Sequence, residues 1–167
     1  LSLHDALPIF KRSLKISQSF NDDYVSSERL KSIGITHFSL ANYDSAAFYF
    51  KIADSIYSEY PVLRLTTLSW LAITNIKKGL KADARDYIKI FDTLIENSEP
   101  KSGDVISVYW NVYQAYKNLG EIKTGKGYLE DSYFEIKSRS RNIKNKADRK
   151  KYMAVKLHKD IIAAWDN

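Results

Sequence analysis

The 167-residue chain is 44% hydrophobic, with 12 tyrosines, 3 prolines and no cysteine. That apolar content excludes wholesale disorder, and the lack of cysteine excludes a disulfide framework, a thiol nucleophile and a cysteine zinc site. No apolar run approaches the roughly 20 residues that cross a bilayer, so a soluble, cytoplasmic chain is the expectation. The net charge of +6 is uneven: residues 137–159 carry ten Lys or Arg against Asp148 alone, and the remainder carries 16 basic and 19 acidic residues.

Leu1 to Ile9 (LSLHDALPI) fits no pattern that follows, and without a basic start or a long apolar stretch it is no signal peptide. In one reading frame it resembles the translation of a widely used short-read sequencing adapter, whose leftover base would open a codon for Phe10. That resemblance implies a native sequence beginning near Phe10, with any catalytic domain lying upstream. The alternative is an ordinary N-terminal segment.

From Phe10 to Phe20 the spacing of Phe10, Leu14 and Ser17 marks one face of a helix. Asn21-Asp22-Asp23 supplies turn and N-cap chemistry. Tyr24 to Leu40 reads as a helix containing Leu30, Ile33-Gly34 and His37, with Gly34 placed for close packing by a partner. After a turn at Ala41 to Tyr43, Asp44 to Tyr60 reads as a second helix carrying Ala46, Phe50 and Ala53. Pro61 suits a first helical turn, where no donor amide is needed; Val62 to Lys78 follows, ended by Gly79 as a C-cap candidate. Ala82 to Ile95 carries Ala84, Ile88 and Phe91. A loop spans Asn97 to Gly103. Asp104 to Leu119 stops at Gly120, and its partner begins near Ile122 with Gly125, Leu129 and Ser132 in register.

Two markers agree on an internal repeat. Turns at Ala41, Gly79 and Gly120, and small residues at Ala46, Ala84 and Gly125, both step by 38 and then 41 residues. This pattern resembles the tetratricopeptide (TPR) repeat, a pair of antiparallel helices with a period of about 34 residues, here with longer helices. The boundaries are a partial unit at 10–20, complete units at 24–60, 62–96 and 104–136, and a basic capping helix region at 137–167. The resemblance implies an all-α, right-handed solenoid of about seven or eight helices. Gly127-Tyr128-Leu129-Glu130-Asp131-Ser132-Tyr133 and Ala163-Ala164-Trp165 resemble the closing segment of repeat arrays in large bacterial signalling proteins. In those proteins the array follows a regulatory ATPase module, often fused to a cyclase, kinase or DNA-binding domain. A proline common in that segment is absent here, with Leu157 near its place.

The TPR register implies a concave surface with Lys31, Ile35 and Phe38 on one helix, Ile73 and Lys77 on the next, and Trp110, Gln114 and Lys117 on the third. Lys31 fits the family's carboxylate clamp, but Ile35 stands where an Asn is required, so that activity is not carried over. The apolar members favour a helix or peptide held by aromatic anchors; the alternative is contact with the protein's own helices. The expectation is a non-catalytic scaffold that needs no cofactor and binds a protein, a peptide or an upstream domain of the same chain.

Other sites are weaker. His37 stands where the motif has a packed Tyr, and His158 lies far from any partner histidine, so neither metal-ligand spacing nor a Ser-His-Asp set emerges. Gly120 to Gly127 (GEIKTGKG) has Gly127 where a phosphate loop needs Ser or Thr. The basic patch comprises Arg139, Arg141, Lys144 and Lys146, followed by Arg149, Lys150 and Lys151. It reads as a solvated cap, as a dock for an acidic upstream domain, or as a surface for nucleic acid or another anionic partner over 137–159. Tyr152 alone interleaves with the charges, which disfavours single-strand stacking.

Overall fold

A computed structural model describes residues 2–58, 60–100 and 103–167. Leu1, Glu59, and the Lys101 and Ser102 of the expected loop lie outside the described residues. Every regular element described is an α-helix. The chain divides into two compact units, Leu1–Pro100 and Lys101–Asn167.

The first unit holds α1 (Leu3–Ser19), α2 (Asp23–Ser39), α3 (Tyr43–Ile56), α4 (Pro61–Lys77) and α5 (Lys81–Ile95). Each helix packs on the next, and α2 also touches α4. The second unit holds α6 (Val105–Leu119), α7 (Ile122–Asn142), α8 (Lys146–Met153) and α9 (Lys156–Trp165). Here α6 pairs with α7, and α7 also receives α8 and α9. The fold is all-α, with helices packed in consecutive pairs as in a helical-repeat solenoid.

Four of the connections are built alike. Asn21, Ala41, Gly79 and Gly120 all adopt positive φ (53°, 59°, 77° and 83°). The amide of the following residue reaches back to the carbonyl five residues earlier: Asp22 to Ser17, Asn42 to His37, Leu80 to Asn75 and Glu121 to Tyr116, at 2.9–3.1 Å. This is the six-to-one bond of a Schellman motif, which satisfies an orphan carbonyl and reverses the chain. The fifth residue after each left-handed position is small and enclosed: Ser26, Ala46, Ala84 and Gly125. Two helices leaving so short a turn are still close at that level. At the first turn Ser17 and Ser26 share a hydrogen bond of 2.9 Å across the gap. At the last, a Cβ on Gly125 would stand 2.7 Å from Tyr116 Cβ.

The registered positions build the cores. Ala46, Phe50 and Ala53, then Ala84, Ile88 and Phe91, then Gly125, Leu129 and Ser132 are all buried. Gly34 is the close-packing position expected of it: a Cβ there would meet the Phe50 ring at 2.6 Å. Ala46, Phe50 and Leu71 form one cluster of the first unit, flanked by Ile35, Phe38, Trp70 and Tyr87. In the second unit Leu129 and Ile136 of α7 cluster with Ile106, Tyr113 and Ile161. Polar side chains lock the α3–α4 corner: Arg64 donates twice to Asp54, at 3.0 and 3.2 Å, and Thr67 donates to the same carboxylate.

Several boundaries differ from the sequence reading. Leu3 to Ile9 continues α1 without a break, behind a capping box formed by Ser2 and Asp5. The helix expected to reach Tyr60 ends at Ile56, because Tyr60 precedes Pro61 and is held out of helical geometry at φ −123°, ψ 83°. The helix expected to end at Ile136 runs to Asn142, drawn on by buried Ile136 and Ser140. The capping region after it is two helices rather than one, so nine are present among the described residues rather than seven or eight. The break falls where Ile143 turns extended and the Asn145 side chain caps the amides of Ala147 and Asp148.

Gly125→Ala is expected to lower stability by about 1–2 kcal/mol in urea titration, a helix-propensity gain near 1 kcal/mol being outweighed by overpacking. Adding Tyr116→Ala should recover none of that loss, since the obstructing atom is the Tyr116 Cβ.

Candidate functional site

In the first unit the expected concave residues separate by environment. Lys31 is only 7% exposed, and its ammonium binds the Glu28 carboxylate at 3.0 Å. Glu28 also accepts the Tyr57 hydroxyl at 2.8 Å, tying α2 to α3. Burial, and then the neighbouring carboxylate, push the Tyr57 phenol above its ordinary range, so it stays a donor. Ile35 and Phe38 are brought together on the Ala46–Phe50–Leu71 cluster, with Phe38 edge-on to Trp70 at 5.2 Å. Ile73 is 5% exposed, and Thr66 and Ser69 on the same helix are buried too. Lys77 stays exposed.

In the second unit Trp110 packs on the core cluster, 5.5 Å from the Tyr113 ring. Gln114 is half-buried and Lys117 exposed. The apolar anchors thus lean on the frame, and the residues left most open to a partner are polar.

The basic patch divides as well. Arg149 donates from Nε and Nη2 to the Ile143 carbonyl, at 3.1 and 2.7 Å, and so closes the end of α7. Arg139 pairs with Glu135 at 2.6 Å, and Lys151 with Asp148 at 3.5 Å. Arg141, Lys144, Lys146 and Lys150 are exposed around the α7–α8 corner.

Both described core-side histidines act in packing. His37 stacks on Tyr49, centroids 5.4 Å apart and planes within 7°. His158 is buried, with Nδ1 2.7 Å from the Tyr152 carbonyl oxygen and its ring against Tyr152. Among the described residues no three His, Asp or Glu side chains gather to hold a metal ion, and no helix is long and apolar enough to cross a membrane.

One feature escaped the periodicity argument. A cleft of about 370 Å³ opens where α2 begins and α3 gives way to α4, lined by Asp23, Tyr24, Ile56, Tyr57, Tyr60 and Leu63. These residues sit at helix ends, where a 3.6-residue pattern has no say. The signal available was chemical: three tyrosines at the two ends of one helical hairpin.

No family model matches the chain, and no curated protein matches it.

His37 yields a prediction on pH. Burial, then Lys11, hold its pKa below the ordinary histidine value. The unfolded chain therefore binds the proton first, so the His37 contribution is complete above the unfolded value near 6.5 and is lost as pH falls. Thermal melts between pH 7.5 and 5 should show a stability decline that His37→Phe makes shallower.

Proposed function

We propose that this chain is a TPR-type scaffold for protein recognition, without catalysis of its own, serving as the regulatory repeat module of a larger cytoplasmic signalling protein. The observation that carries this reading is the register: three hairpins repeat one turn geometry, and all nine of their matched small and large positions are buried. Such hairpins cannot bury their apolar faces alone, and packing on a neighbour within its own unit gives each a preformed surface whose shape is set before a partner arrives. In the first unit Ile35 and Phe38 are taken up by the core and Lys77 is left to face a partner; in the second Trp110 is taken up and Gln114 and Lys117 are left. A protein or peptide, including an upstream domain of the same chain, is the ligand this arrangement favours.

The test is Lys77→Glu with Lys117→Glu. A partner crosslinked to the wild-type protein is purified and titrated against both forms. Several-fold weaker binding by the variant, with helicity and melting unchanged, is the expected result; equal affinity removes these lysines from the recognition surface and the reading with them.

A second reading rests on Arg141, Lys144, Lys146 and Lys150 at the α7–α8 corner, an exposed basic group suited to nucleic acid or another anionic surface. Fluorescence anisotropy with a labelled duplex decides it. Binding that weakens steeply with salt and disappears in Lys144→Glu/Lys146→Glu/Lys150→Glu would favour this reading over the scaffold. The scaffold reading expects no measurable binding at 150 mM salt.

A further inference from the structure

The tyrosine cleft has a composition that narrows what it can hold. Tyr57 is its enclosed floor, while Tyr24 and Tyr60, 48% and 60% exposed, form the walls with Ile56 and Leu63. Asp23 stands at the rim. Half of the lining side chains are therefore phenol rings, whose faces carry negative potential from the ring quadrupole.

The charges around the cleft act in the same direction. Glu28 stands behind the floor, accepting the Tyr57 hydroxyl at 2.8 Å. That bond polarises the O–H, which keeps its proton, and enriches the ring. Lys31 balances Glu28, and Arg64, beside Leu63, is committed to Asp54. Among the described lining residues, the charge left for a ligand is that of Asp23. Its position in the first turn of α2 offsets part of that charge through the helix dipole, so the rings must supply much of the attraction.

A neutral hydrocarbon would fill the aliphatic side but gain nothing from the rings' potential or from Asp23. A primary ammonium would surrender strong hydration to reach walls that offer few acceptors. A quaternary ammonium suits both halves, with its charge spread over methyl groups that pack against Ile56, Leu63 and the rings. The volume, about 370 Å³, lies at the lower end of small-ligand pockets.

We propose that the cleft between the start of α2 and the α3–α4 corner binds a quaternary ammonium group, carried either by a small molecule or by a trimethylated lysine side chain. This does not rest on the scaffold reading.

The deciding experiment compares choline with 3,3-dimethylbutan-1-ol, its neutral carbon isostere, by NMR titration of the tyrosine ring resonances of the whole chain. Choline should bind about tenfold more tightly than the isostere, the order expected of cation–π contacts in a partly desolvated site. Tyr60→Leu should weaken choline about tenfold with unchanged melting, because that side chain is exposed. Asp23→Asn should weaken it a few-fold, with melting lowered by no more than the small helix-dipole contribution. Tyr60→Phe should retain binding. Equal affinity for choline and the isostere, no binding of choline, or undiminished binding by Tyr60→Leu would each overturn the proposal. Peptides with trimethylated and unmodified lysine form the second arm. Binding of the trimethylated peptide more tightly than choline assigns the group to a protein; choline binding without peptide binding assigns it to a small molecule.

Discussion

The paired helices of both units depend on one hydrogen bond repeated at four turns. The amides of Asp22, Asn42, Leu80 and Glu121 each cap a carbonyl of the helix just ended, and the residue before each amide takes a left-handed conformation. Glycine meets that requirement at two of the turns without strain, and Asn21 and Ala41 meet it at a modest conformational cost. With the reversal made in so few residues, the two helices must lie antiparallel, the last turn of one nearly touching the first turn of the next. Only a small side chain fits there, and Ser26, Ala46, Ala84 and Gly125 supply it. The same carbonyls that receive the capping amides belong to Ser17, His37, Asn75 and Tyr116. Cap and crossing are thus one device.

The device sets how the apolar residues are used. Once the crossing residue is placed, the side chains four and seven positions further along face the same seam, which is why Phe50 and Ala53, Ile88 and Phe91, and Leu129 and Ser132 are all buried. Gly34 lets Phe50 reach full enclosure, worth roughly 2–3 kcal/mol of transfer free energy for a side chain of that size. Polar side chains then hold the corners that packing leaves weak. Arg64 and Thr67 grip Asp54 between α3 and α4, and Arg149 closes the end of α7. Several residues that looked available for recognition serve the frame instead, Lys31 among them.

A frame of this kind leaves side chains uncommitted to the core at two sorts of place. One is the outward row of polar residues along the first helix of each pair, where Lys77 and Lys117 stand open. The other is the far end of a hairpin, where no Schellman turn constrains the chain and the connection is irregular. The α3–α4 junction is such an end. Pro61 forces Tyr60 out of the helix, and the resulting gap is walled by tyrosines instead of being closed by small residues.

The sequence by itself determined the helices, the tight turns and the registered core. All three are local matters: a glycine, an asparagine or Ala41 after an apolar face, Pro61 at the start of one helix, and a 3.6-residue period between the turns. The tertiary structure alone decided what covers each face. Periodicity places Ile35, Phe38 and Trp110 on a side of a helix, but whether that side meets solvent or a neighbour depends on residues far along the chain. It also decided that Tyr57, 29 residues from Glu28, donates to the carboxylate that holds Lys31, and that Tyr24, Tyr57 and Tyr60 line one cleft. Helix ends carry no periodic signal, so contacts between ends remote in sequence arise only when the helices have packed.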